Sequence, residues 1–173
     1  MTSDAQAGNR ILGSLASANG KGVVRMQDRL DSAVEDVWSA LTDPARLARW
    51  YGDVTGDLRV GGEYRAHVFA SGWEGTGRVE ICEPPRRLLL MSKEQDDPWD
   101  GVTEVILAAE GDQTILVWEA RGMPRDYVAG YGAGIQVHVE DLAGYLAGRE
   151  RCDASARVGE LFPAYEELAA NVA

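Results

Sequence analysis

Between Val54 and Arg121 the chain is a series of short apolar runs, each closed by residues that turn or stop a strand. The runs fall at 54–59, 63–70, 74–83, 87–94, 102–110 and 114–121. Their separators are Gly61-Gly62, Ser71-Gly72, Pro84-Pro85, Gln95-Asp96-Asp97-Pro98 and Glu110-Gly111-Asp112-Gln113. Parallel pairing needs a crossover of about a dozen residues, so strands joined this tightly must run as an antiparallel meander. A meander with a two-residue period has an apolar face that something else must cover. After Met123-Pro124 the period changes: Tyr127, Tyr131, Ile135, His138, Leu142, Tyr145 and Leu146 recur at helical spacing, despite glycines at 130, 132 and 134. This stretch is the long helix that covers the sheet.

Ahead of the meander, Val24, Met26 and Leu30 share one face of a strand. Ser32-Ala33-Val34-Glu35 has the capping-box spacing, which predicts a helix through Val37, Trp38 and Leu41 with Ser32 as its cap. Thr42-Asp43-Pro44 starts a second short helix through Leu47 and Trp50, with Asp43 capping and Pro44 in the first turn. The expected fold is α+β: a curved antiparallel sheet of six to seven strands wrapped around a long C-terminal helix, with two short helices after the first strand. Residues 1–21, rich in Ala, Ser, Gly and Asn, read as a flexible leader, and 22–150 as the domain. Residues 151–173, carrying Val158, Leu161, Phe162, Tyr165 and Leu168, read as a helical tail packed on it. With 173 residues, 45% of them hydrophobic, the chain can bury a core without metal or disulfide.

A net charge of -11, from 28 acidic and 17 basic residues, sets a field that repels nucleic acid and anionic membranes. The basic side is nearly all Arg, with Lys only at 21 and 93 and no basic cluster. Cys82 and Cys152 stand far apart without metal-ligand spacing, which indicates a reducing, cytoplasmic setting and no zinc site. The first residues have neither a positive leader nor an apolar core, and no run reaches the roughly 20 apolar residues that span a bilayer.

The order of elements, together with particular stretches of text, resembles a known family. These stretches are Val37-Trp38-Ser39-Ala40-Leu41-Thr42-Asp43-Pro44, Trp50-Tyr51, Gly61-Gly62-Glu63-Tyr64 and Gly77-Arg78-Val79. Further along they are Glu83-Pro84-Pro85-Arg86-Arg87-Leu88, Thr114-Ile115-Leu116 and Gly130-Tyr131-Gly132-Ala133-Gly134 ahead of Leu142. The chain resembles the helix-grip superfamily of START and Bet v 1-like proteins, and within it bacterial proteins similar to the activator of Hsp90 ATPase carboxy-terminal domain. The resemblance covers about residues 23–150. It implies a cleft between sheet and long helix, used in relatives to hold sterols, lipids, hormones or polyketides. Where family members commonly carry Trp after the last glycine of the helix segment, this chain has Ile135.

The resemblance and the aromatic stripe together nominate Tyr64, Phe69, Trp73, Trp118, Tyr127, Tyr131, Ile135, His138 and Leu142 as lining such a cleft. The alternative for each is that it simply fills the core. The leading expectation is binding of a small hydrophobic or amphipathic molecule without cofactor or metal, in a monomer or homodimer. The second is an enzyme of the cyclase, dehydratase or hydrolase type, with His138, Tyr131 and Glu119 as acid/base candidates. The third, from the family's namesake, is a protein-interaction module. No nucleophile elbow, phosphate loop or activated cysteine is present to favour catalysis. Glu140 and Asp141 point to helix faces other than that of His138, and Glu74, Glu80, Glu104 and Glu119 read as a solvated ladder with Arg65, Arg78 and Arg121. His67 falls on the strand face opposite Tyr64, Ala66 and Val68 and reads as solvent-facing.

Overall fold

In a computed structural model, which describes residues 10–94 and 100–172, eight strands form one fully antiparallel sheet. The strands are β1 (Gly13–Ala18), β2 (Lys21–Leu30), β3 (Gly52–Gly56), β4 (Glu63–Val68), β5 (Glu74–Glu83), β6 (Arg87–Glu94), β7 (Gly101–Glu110) and β8 (Gln113–Pro124). Their order is β1-β2-β8-β7-β6-β5-β4-β3, so the meander β3 to β8 is intact and the N-terminal hairpin joins its far edge through β2 and β8. The helices are α1 (Val34–Thr42), α2 (Pro44–Trp50), α3 (Val128–Leu146) and α4 (Ala154–Ala169), with a single 3-10 turn at Arg125–Tyr127 before α3.

The strand count exceeds the expected six to seven because β1 lies inside the presumed leader. A pair of residues with φ of 55° and 79°, Asn19-Gly20, joins β1 to β2 by a two-residue turn that places Ala18 opposite Lys21. Positive φ at both central positions is the turn geometry whose twist matches a hairpin, and Asn-Gly is the dipeptide that adopts it most readily. Residues 1–9 and the 95–98 separator lie outside the described residues.

The helix starts separate two capping schemes. Asp43 accepts a hydrogen bond from the Ala45 amide at 3.0 Å with Pro44 in the first turn, as expected. The capping box at Ser32 does not form: α1 begins at Val34, and Ser32 donates its hydroxyl to Asp36 at 2.8 Å instead. Ser32 uses its carbonyl to accept from the Thr114 hydroxyl at 2.7 Å, which ties the entry of α1 to β8.

The inner face of the sheet carries Val24, Met26, Leu116, Trp118, Ala120, Val105, Leu107, Leu88, Val79, Tyr64 and Ala66, all buried. On β4 the alternation places Tyr64, Ala66 and Val68 inward and leaves His67 exposed, as the sequence period requires. α3 crosses this face, with Ala133, Val137, Val139 and Leu142 fully enclosed. Its other side meets β1 and α4. There the buried Gln136 side chain accepts from the Leu12 amide at 3.1 Å and from the Tyr165 hydroxyl at 2.5 Å, and donates to the Arg10 carbonyl at 2.7 Å. Arg157 of α4 closes the same junction on Glu140, with two bonds of 2.8 Å.

Candidate functional site

A cavity of about 730 Å³ lies between the N-terminal half of α3, helices α1 and α2, and the inner faces of β3 to β8. Its walls are aliphatic and aromatic, including Trp38, Trp50, Trp73, Trp118, Tyr51, Tyr64, Leu88, Val105 and Ile135. The polar tips among them are few: Thr42, Ser71, Ser92, Thr103, Cys82, three tyrosines besides Tyr51, and His138. Arg121 is the one charged lining residue among those described, and its guanidinium is held by Glu104 at 3.1 Å and Glu119 at 2.6 Å.

Seven of the nine sequence-nominated lining residues meet in this space: Tyr64, Trp73, Trp118, Tyr127, Tyr131, Ile135 and His138. Two do not. Phe69 sits beyond the end of β4, edge-on to the ring of His67 at 5.8 Å and under the Arg151 guanidinium at 4.7 Å, outside the cavity. It shares the strand parity of His67, which the alternation assigns to the outer face. Leu142 lies one turn beyond His138, where α3 has closed onto the sheet, and is fully buried in the core.

His138 is the last residue along α3 to line the cavity. Its ring stacks on Trp118 at 6.0 Å with an interplanar angle of 16°, and meets Tyr51 edge-on at 5.0 Å. Its Nδ1 atom is buried and has no hydrogen-bond partner among the described residues. Burial disfavours the charged imidazolium and pulls its pKa down to about 4, so the ring is neutral at physiological pH. The same desolvation pushes the Tyr51 phenol up to about 12 and Tyr64 upward as well, which keeps both hydroxyls protonated.

The acid/base candidates do not form one constellation. His138 and Tyr131 face the cavity, whereas Glu119 alternates outward from Trp118 and Ala120 and joins an ion-pair cluster. In that cluster Glu104 bonds Arg87 at 2.7 Å and Arg121 at 3.1 Å; burial pushes its carboxyl upward, and the two guanidinium groups together outweigh this and hold it below the usual carboxylate range. The ladder reading of these carboxylates holds for Glu80, Glu104 and Glu119, with Arg87 as a member that the spacing did not single out. Asp141 accepts from the Cys152 amide at 2.9 Å and orders the link between α3 and α4. Among the described residues no group of three or more His, Cys, Asp or Glu is placed to hold a metal ion, and no helix is long and apolar enough to cross a membrane.

Sequence reasoning did not single out Trp38, Trp50, Tyr51, Leu58 and Thr103 as lining residues. The helix period pointed Trp38 and Trp50 toward a core, but only the packing of α1 and α2 over the sheet opening turns that core face into a cavity wall. Tyr51 had a usable signal in its place beside Trp50 at the end of α2, where the chain must turn down into β3.

A single curved antiparallel sheet gripped around one long helix, with an apolar cavity between them, defines a helix-grip protein. The chain belongs to the family of activator of Hsp90 ATPase homolog 1-like proteins, whose model matches residues 31–147. Among solved structures it is similar to CalU16 from Micromonospora echinospora, at 27% identity and a TM-score of 0.75, covering 92% of this chain and 96% of that one. It is also similar to DynU16, a protein in the dynemicin biosynthetic locus, at 30% identity and a TM-score of 0.69, covering 76% of this chain and 50% of that one. CV1439 from Chromobacterium violaceum is 25% identical with a TM-score of 0.58, covering 71% of this chain and 95% of that one. A search of curated proteins finds no match.

Proposed function

We propose that the protein binds a small hydrophobic or amphipathic molecule in the cavity between sheet and long helix. The observation that carries this reading is the space itself: about 730 Å³ walled by aromatic side chains falls within the few hundred to about a thousand Å³ of typical small-molecule sites. The lining supports an occupant uncharged along most of its length, because the one described charged residue there is already paired. The likeness to DynU16, from a biosynthetic locus, supports a biosynthetic small molecule as the occupant. The two free cysteines, Cys82 and Cys152, support a reducing cytoplasmic setting.

Native mass spectrometry of the gently purified protein tests this reading directly. A reproducible adduct released on denaturation is the expected result. A bare mass, together with no quenching of tryptophan fluorescence by neutral polycyclic probes, would overturn it.

A second reading is catalysis on the bound molecule, favoured by the unpartnered nitrogen of His138 in the cavity wall. In that reading His138 exchanges a proton with the occupant and Tyr131, in the same wall, assists, while Glu119 stands on the other face of the sheet. Turnover of a released ligand that survives both His138→Ala and Tyr131→Phe would remove it.

A further inference from the structure

Helix α3 carries glycine at 130, 132, 134 and 144, and in a helix interior every glycine is less favourable than alanine because it has more backbone freedom to lose. Gly132 has an evident reason: a Cβ there would stand 2.5 Å from Cδ1 of the buried Tyr165 ring. Gly130 and Gly134 have none among the described residues. Among the described residues nothing beyond the adjoining residues and the helix's own backbone lies within 4 Å of where either Cβ would stand, and neither residue has the positive φ that excludes other side chains. A methyl group would fit at both positions and would strengthen the helix. Both residues border the cavity, Gly134 half-buried in its wall and Gly130 one turn earlier where the helix is exposed to solvent.

His138 is the next residue on the same i, i+4 stripe. It is only 9% exposed, lines the same cavity, and leaves Nδ1 without a hydrogen-bond partner among the described residues. Buried polar atoms are nearly always paired, so an orphan nitrogen on a ring that borders a cavity marks a place where something else completes the bond once the ring turns to meet it. Two independent deficits, of side-chain volume at Gly130 and Gly134 and of a hydrogen bond at His138, therefore lie along one helix stripe that borders one space.

We infer, resting on the binding function proposed above, that Gly130, Gly134 and His138 determine which molecule the cavity accepts. A flat, uncharged molecule lies with its ring face against the bare backbone of Gly130 and Gly134, and a hydroxyl or carbonyl at its inner edge bonds to the His138 imidazole. The peptide planes of the two glycines offer a smooth wall that a fused ring covers fully, and a side chain at either position would occupy the ring's place. The unfixed imidazole tautomer can serve a donor or an acceptor on the ligand.

The test uses the full chain and neutral fluorescent probes of different breadth: 2-naphthol, 1-pyrenemethanol and pyrene. The wild type is expected to bind all three, with 1-pyrenemethanol ahead of pyrene. Gly134→Leu and Gly130→Leu are expected to weaken 1-pyrenemethanol by about tenfold or more, the scale on which a filled pocket discriminates, while 2-naphthol stays within about twofold. His138→Phe is expected to erase the preference for 1-pyrenemethanol over pyrene, by about fivefold or more for a lost hydrogen bond. Gly134→Ala serves as the folding control and is expected to melt no lower than the wild type. Leucine variants that bind every probe as the wild type does, or that lose all probes equally, would overturn the assignment. A wild type that binds none of the probes and carries no adduct would instead overturn the cavity reading on which it rests.

Discussion

The Tyr165 hydroxyl of α4 donates a 2.5 Å hydrogen bond to Oε1 of Gln136, in the middle of α3 and fully buried. The same Gln136 oxygen accepts from the Leu12 amide, and the Tyr165 oxygen accepts from the Gly13 amide at 3.1 Å. Two side chains thus replace the backbone partners that the edge of β1 lacks. Burying polar groups here is tolerable because each has a partner, and removing one leaves several unsatisfied.

Tyr165→Phe should therefore destabilise the protein by about 1–2 kcal/mol, and Gln136→Leu by more, since it strands the Leu12 amide and the Tyr165 hydroxyl together. The double variant should cost less than the sum of the two, because the residues share one network. Denaturant melts of the four-member cycle measure the coupling, and strictly additive losses would show that the network is not a unit. Amide exchange at Leu12 and Gly13 should accelerate in both single variants.

His138 gives stability a pH dependence on the acid side of neutrality. Its folded pKa is held down to about 4 by burial, against an ordinary value of 6.5. Between those values the unfolded chain binds a proton that the folded chain refuses, so stability is full above about pH 7 and falls as the pH drops from about 6.5 to 4. Each pH unit in that window costs about 1.4 kcal/mol, for a total of order 3 kcal/mol. Tyr51, which meets the ring, stays protonated throughout; carboxylates with lowered pKa such as Asp36 and Glu104 lose their contribution as the pH falls through their ordinary values of 3.8 and 4.5, at the acid end of this window and below it, equally in wild type and variant. Stability of His138→Phe measured from pH 4 to 8 should be flatter than that of the wild type by this amount; parallel curves would refute the assignment.

The glycines of α3 should respond in opposite directions. Gly132→Ala drives a methyl into the buried Tyr165 ring and should cost about 1–3 kcal/mol, the usual range for overpacking. Gly130→Ala and Gly134→Ala meet nothing and should each stabilise by about 0.5–1 kcal/mol through helix propensity. Thermal melts of the three variants decide it, and a uniform sign would show that local packing does not govern these positions.

Glu119→Gln should leave ligand binding within about twofold and stability within about 1 kcal/mol, because Glu119 itself stands outside the cavity, its ion pair is partly solvated, and Arg121, which lines the cavity, keeps Glu104 as a partner. Calorimetric titration of a captured ligand into wild type and variant makes the comparison. A large loss of affinity would place this carboxylate in the site after all.

Much of this architecture was legible along the chain. The meander, the two short helices and the long covering helix follow from periods of two and 3.6 residues and from turn residues whose backbone preferences are local. The inward face of β4 also follows from alternation, and the same rule puts Phe69 with His67 on the outer face, outside the cavity. β1 escaped notice because Gly13–Ala18 is a run of small residues with little hydrophobic contrast, although Asn19-Gly20 was a readable hairpin turn. The capping box at Ser32 failed because Asp36 and Thr114 offered its hydroxyl and carbonyl better partners, one of them 82 residues away.

The sequence by itself determined which residues turn inward, since side-chain direction on a strand or helix is a matter of period. Only the tertiary structure decided which inward residues touch one another and which border empty space. Val137 and His138 are neighbours in the chain, yet one packs solidly and the other ends at a cavity with a nitrogen left over. The difference is set by how far α3 stands from the curved sheet at each turn, a distance that sums the packing of Gln136, Tyr165, Trp118 and the two short helices. No local pattern encodes such a sum, because it depends on contacts between residues far apart in sequence.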